Sequence, residues 1–264
     1  MKWSFIFFLP AIVSVLWGLA IMLLKRHPTR SQMLMSLALL LMGFAIGILE
    51  VFFRGRAGVL FVYDFVFKAA AVFCAPVYYI GVCALVEPRG ASRHQRQVFH
   101  FPLMFITGLT VGAFWLGPRR YEAMCYALRE GGAAMIAGDA KWNYMLFWDH
   151  WLFPILVIVM SFILIVMANG KVNEYQRRFN GIYAENIDLP FINNRVLSLF
   201  SWLLLPLGVL VVLMIDLRPH NYKYWLIGCS VLLTILQFYI GRFAWRLDYD
   251  ARYLAEYVRK KIVS

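Results

Sequence analysis

The sequence predicts an all-α membrane protein: a bundle of seven transmembrane helices, N-terminus outside and C-terminus cytoplasmic. Three observations predict it. Apolar residues make up 62% of the 264 and charged residues only 15%, whereas a soluble domain is about half apolar and about a quarter charged. The apolar residues fall into runs that each approach the roughly 20 residues needed to cross a bilayer, with polar stretches between them. Lys and Arg are spread unevenly between alternate gaps, the asymmetry that orients polytopic proteins. The formal net charge of +12 is read in the same way, as basic residues gathered in cytoplasmic loops. No direct contact of this chain with nucleic acid is expected. The nine Trp, 14 Tyr and 22 Phe suit aromatic belts at the two membrane interfaces.

The first span is Trp3 to Leu24. Lys2 gives it a minimal basic start, but the run is over-long for a signal peptide, lacks a small-residue cleavage site and stops at Lys25-Arg26. The second is Ser31 to Phe53, with Glu50 near its far end. The third, Val59 to Val86, organises the rest. It carries Asp64 and Lys68 four residues apart, then Pro76 and Tyr78-Tyr79. A lone charge in hydrocarbon is costly, so this i,i+4 pair is expected to pair internally and face the bundle. Pro76 removes a backbone hydrogen bond and is a bend point, with Pro154 and Pro206 as others. The fourth span is Val98 to Gly117, opening His100-Phe101-Pro102. The fifth is Phe147 to Ala168, with Asp149, His150 and Pro154 in its first turns. The sixth is Arg195 to Asp216 and the seventh Tyr224 to Phe243.

Two gaps are long. In Pro118 to Leu146, residues Tyr121 to Arg129 are expected to form a short helix lying on the membrane. In Asn169 to Asn194 the first part is expected to continue the fifth helix, and Pro190 to stop any helix before the sixth. With the loop after the first span inside, the cytoplasmic segments hold 16 basic residues and the outer ones nine, Lys68 being the last of the 26. Cys74, Cys83 and Cys229 read as small core hydrophobes, and Cys125 as a lone loop cysteine.

The chain divides into a transmembrane domain, residues 1–243, and a juxtamembrane helix, 244–264. No Gly or Pro interrupts Arg242 to Val263, and the pairs Asp248/Arg252 and Glu256/Lys260 support a helix. Leu247, Ala251, Leu254 and Val258 make a short coiled-coil seam toward a second copy or a partner. The other reading lays this helix on the inner leaflet, with Arg259, Lys260 and Lys261 among anionic headgroups. The expected partners are therefore membrane lipids and, through residues 242–264, another copy of the chain or a separate protein.

Intramembrane ionisable groups are the natural functional candidates. Helix direction puts Glu50, Asp64, Lys68, Asp149, His150 and Asp216 in the outer half of the bundle, as a candidate ligand-binding set. End-of-helix polarity is the plainer reading of Glu50, Asp149 and Asp216. Asp64 and Lys68 lie deeper, and an interior role is expected for them. The five histidines are scattered and no HExxH, HxxxH or CxxC occurs, so no metal or other cofactor is expected. There is no GxSxG, phosphate loop or dinucleotide fingerprint, and the chain is not expected to be an enzyme.

Several short motifs carry a likeness: Phe8-Leu9-Pro10 followed by Ser14 and Gly18; Pro76-Val77-Tyr78-Tyr79 followed by Leu85; His100-Phe101-Pro102; and Tyr175 to Tyr183 leading into Leu199 to Trp202. In their order they resemble the N-terminal seven-helix membrane region of bacterial membrane-bound AraC-type transcriptional regulators, over most of residues 5–245. The family's helix-turn-helix region has no counterpart before Ser264. Either such a domain follows in the natural gene, or the chain is a membrane module that acts on a separate output protein. The resemblance implies a multi-pass protein of the bacterial inner membrane that detects a periplasmic ligand or partner. It would relay the signal through the C-terminal helix to transcription. An accessory subunit of a larger membrane complex is the alternative reading, with a transporter behind it.

Overall fold

A computed structural model of the chain describes residues 4–54, 59–87, 92–130, 139–182 and 222–246. Every regular element among them is helical: α1 (Ser4–Leu24), α2 (Arg30–Arg54), α3 (Leu60–Val86), α4 (Arg93–Arg96), α5 (His100–Leu116), α6 (Pro118–Glu130), α7 (Ala140–Leu146), α8 (Phe153–Ile182) and α9 (Tyr222–Arg246). A 3₁₀ turn, Gln97–Phe99, leads into α5, and a π-helical stretch, Phe147–Leu152, joins α7 to α8. Among the described residues, four stretches are long and apolar enough to cross a membrane: Arg30–Leu49, Leu60–Val86, Gln97–Leu116 and Ala140–Glu174. The first and last helices carry shorter apolar runs, Phe8–Leu24 and Ser230–Arg242. The expected sixth span, Arg195 to Asp216, and the tail from Leu247 onward lie outside the described residues.

The boundaries follow from local chemistry. Thr29 and Gln32 form a reciprocal capping box: Gln32 N–H donates to Thr29 Oγ1 at 3.2 Å and Thr29 N–H to Gln32 Oε1 at 2.8 Å. Two orphan donors at the start of α2 are thereby satisfied. Ser92 and Gln95 repeat the device before α4. Gly117, at φ +87°, ends α5 in a backbone conformation that a Cβ disfavours, and Pro118 then opens α6. The fifth predicted span starts at Phe147 on the sequence reading. In the structure its helical path begins at Ala140 and continues beyond Ala168 to Ile182.

α3 lies at the centre, packed against α2, α8, α6 and α5. α1 packs on α2, and α9 on both. The α1–α2 seam is narrow because small residues line it. Ser14 Oγ donates to Leu39 O at 2.9 Å and Ser36 Oγ to Gly18 O at 2.6 Å. A Cβ at Gly43 would come within 2.7 Å of Val15 Cγ2 and 3.0 Å of Ala11 O. Where lipid removes most of the hydrophobic drive for helix association, such close backbone approach and interhelical hydrogen bonds hold helices together.

Two apolar cores result. One, toward the end of α3, joins Tyr79, Ile80 and Cys83 to Leu164 of α8 and Leu236 of α9. Cys83 is thus a small core residue, as its apolar setting predicts. The other surrounds the start of α3 and joins Leu60 and Val72 to Phe105, Met124 and Phe153. α6 belongs to this second core. The short helix expected over Tyr121 to Arg129 is formed, and it turns Tyr121, Met124 and Cys125 inward, all buried. The i,i+3,i+4 spacing of these three side chains makes one apolar face, and that face packs on α3 and α5. Cys125 is consequently a buried helix residue, not a loop cysteine.

Candidate functional site

The site is built on the first turns of α3. Asp64 and Lys68 are one helical turn apart and both buried, at 7% and 4% exposure. Lys68 Nζ lies 2.6 Å from each Asp64 carboxylate oxygen, so the pair expected from i,i+4 spacing is formed. Lys68 also donates to Asp149 Oδ1, carried by the π-helical stretch before α8. A π turn widens the helix by one residue and re-aims the side chains it holds. α6 supplies the fourth member: Tyr121 OH is 2.7 Å from Asp64 Oδ2 and 3.1 Å from Asp149 Oδ1. The single hydroxyl proton serves one carboxylate at a time. The Phe153 ring lies below the ammonium, 5.6 Å away, and adds a cation–π contact.

This arrangement corrects the plainer reading of Asp149. It is 3% exposed and takes part in a three-segment ion cluster rather than decorating a helix end. Of the other expected members, Glu50 lies in α2 and His150 in the π-helical stretch, both with side chains outside the described set. Asp216 lies outside the described residues altogether. The structure therefore joins Asp64, Lys68 and Asp149, and adds Tyr121, which sequence reasoning missed. The signal available was the Tyr121/Met124/Cys125 face of a short amphipathic helix.

Glu122, beside Tyr121, was also missed. Its carboxylate accepts from Leu60 N–H at 3.1 Å and Phe61 N–H at 2.9 Å. The residue at the N-cap position of α3, Val59, offers no side-chain acceptor. α6 thus caps α3 from outside and places Tyr121 over Asp64 in the same stroke. α6 is in turn tied to α7. Arg120 makes two hydrogen bonds to Asp139, at 2.9 and 3.1 Å. Asp139 also caps α7 through Trp142 N–H at 3.1 Å. The Arg120 bond, and then the Trp142 amide, hold the exposed Asp139 carboxyl below the ordinary carboxylate range.

Among the described residues the cluster is electrostatically unbalanced. Two carboxyl groups face one ammonium there, and Asp149 Oδ2 is buried with no hydrogen-bond partner among them. The opposite end of the bundle holds a second polar layer. Lys171 of α8 pairs with Glu87, just past α3, at 2.9 Å. Lys25 Nζ donates to Trp245 O at 2.7 Å, and Gln32 Nε2 to Ala244 O at 3.2 Å. The turn between α1 and α2 thereby grips the last turn of α9.

Comparison with protein-family models, curated proteins and solved structures finds no match to this chain.

Proposed function

We propose that the chain is a seven-helix membrane sensor of the bacterial inner membrane. In this reading the N-terminus and the Asp64–Lys68–Asp149–Tyr121 cluster face the periplasm and the C-terminus lies in the cytoplasm. A periplasmic ligand or partner acts at the cluster end, the end to which the order of the helices in the sequence assigns Glu50, His150 and Asp216. The signal leaves through residues 242–264 to a transcriptional output, as the likeness to AraC-type membrane regulators implies. The observation that carries the reading is the cluster itself. One ammonium ties α3 to the segment that starts α8, and one hydroxyl from α6 bridges both acids. A change at any member alters how three helices are joined. α3 and α8 meet again at Glu87 and Lys171, one bundle length away, and the grip on α9 lies at the same end. Relay between two packings needs a coupling of only about 1–3 kcal/mol. The excess of basic residues in the segments assigned inside, 16 against nine, supports the orientation.

The test compares three strains of the native host: wild type, a null, and Asp149→Asn at matched protein level. The sensor reading expects the null and the variant to shift an overlapping set of transcripts. A variant indistinguishable from wild type, beside a null that differs, removes it. Reporter fusions near Gly132 and at Ser264 test the orientation, expected periplasmic and cytoplasmic respectively; the reverse pattern would turn the cluster toward the cytosol.

A further inference from the structure

We infer that the Asp64–Asp149 pair is a proton-binding site, holding one proton shared between the two carboxyl groups when the helices are packed as described. The inference deepens the sensor reading and rests on it for its biological use. It names a proton from the aqueous phase as the ligand.

The argument is a charge count in an enclosed volume. Asp64 and Asp149 contribute two negative charges and Lys68 one positive charge. α6 presents Tyr121 and Cys125, both neutral in their ordinary state, and its Glu122 is spent on the first amides of α3. α5 presents Phe105, and the start of α8 presents Phe153. Among the described side chains, no second cation reaches either acid. The side chains of Glu50, Arg54 and His150, and all of residues 183–221, lie outside the described residues. An uncompensated charge buried in a membrane bundle is costly enough that a group neutralises instead. One proton brings the count to zero.

The hydrogen-bond inventory points to the same atom. Lys68 and Tyr121 between them reach Asp64 Oδ1 and Oδ2 and Asp149 Oδ1. Among the described residues, Asp149 Oδ2 is left buried and unpartnered. A water there would satisfy the oxygen but carry no charge, so it would not balance the cluster. A proton does balance it, and Asp64 is only about 6 Å of helix from the first residue of α3. Uptake forms one O–H bond on a carboxylate; release returns the proton to water. No other bond is made or broken.

The proton also decides how firmly Lys68 joins the helices. With the proton bound, the ammonium still reaches Asp149 Oδ1, but the net negative charge it balances is shared with Asp64 of its own helix. With both acids ionised, the contact with the segment that starts α8 becomes a full ion pair. Protonation therefore loosens the tie between two helices that meet again at the far end.

The test uses the full chain in phosphatidylglycerol-containing nanodiscs. Infrared difference spectra are recorded from mildly acid to mildly alkaline pH, in H2O and D2O. The expected result is one protonated-carboxyl band at neutral pH that disappears as pH rises and is absent from Asp149→Asn. Where the band is present, the folded-to-unfolded ratio of wild type should also fall about tenfold more per pH unit than that of Asp149→Asn, and this excess slope should end where the band disappears. Asp64→Asn replaces Asp149→Asn if the latter does not fold. No band dependent on either Asp at neutral pH overturns the proposal. So does a band that sodium chloride abolishes at fixed pH, since the balancing charge is then a metal cation. A band in an Asp149→Asn-sensitive position with unchanged transcripts keeps the proton site and removes the sensor. Altered transcripts with no band do the reverse.

Discussion

Replacing Lys68 with Met is the most informative single perturbation of this protein. Met keeps the stem volume and deletes the charge. Lys68 serves two carboxylates at once, so its loss leaves two buried acids opposite each other with only the Tyr121 hydroxyl between them. Removing one partner of a buried pair costs ~3–5 kcal/mol, most of it the stranded charge. For a chain of this size that corresponds to a melting shift of about 6–20 °C. Asp149→Asn behaves differently, because it leaves the Asp64–Lys68 pair intact and neutral and keeps a polar group at the same place. Its own cost is about 1 kcal/mol or less. Adding it to Lys68→Met should recover part of the loss, with a coupling of about 0.5–3 kcal/mol. The assay is thermal unfolding in detergent read by a thiol-reactive fluorogenic dye. Cys83 and Cys125 are buried and become reactive only when the cores open. A Lys68→Met protein that melts with wild type would mean the ammonium is solvated, and the enclosed-charge argument would fall with it.

The remaining expectations are narrower. Tyr121→Phe removes a hydroxyl that faces two carboxylates and should cost ~1–3 kcal/mol in the same assay; no loss would show that α6 does not close the cluster. Glu122→Ala uncovers the Leu60 and Phe61 amides, with an expected penalty of about 0.5–2 kcal/mol. Hydrogen exchange at those two amides should accelerate while Val72 is unchanged. At the α6–α7 tie, the Asp139 carboxyl is held low by Arg120. The link is therefore complete at neutral pH and lost as pH falls through the folded carboxyl's range, below the usual one. Exchange at Trp142 N–H should rise there, and Asp139→Asn should abolish that pH dependence; exchange indifferent to acid would refute the link. Gly43→Val forces α1 from α2 by steric overlap with Val15 and Ala11 and should cost ~1–3 kcal/mol, seen as a lower melting temperature.

Much of this protein was legible in its sequence because hydrocarbon imposes so few solutions. A backbone without water must satisfy its own hydrogen bonds, so long apolar runs read directly as helices. α2, α3 and α5 begin and end within a few residues of the expected bounds. The Asp64–Lys68 pair was legible for a local reason: four residues along one helix set the two groups on one face, whatever surrounds them. Three things were decided only by tertiary packing. Asp149 joined the cluster because a π-helical stretch re-aimed it toward Lys68, and no spacing in the sequence announces that extra residue per turn. Tyr121 and Glu122 acquired their roles because α6 turned its apolar face inward. An amphipathic helix has the same sequence pattern whether lipid or protein covers it. The charge imbalance emerged last, since it is a sum over α3, α6 and the start of α8. Periodicity reports which face of a helix is buried, but only contact between helices determines which buried groups must share one charge balance.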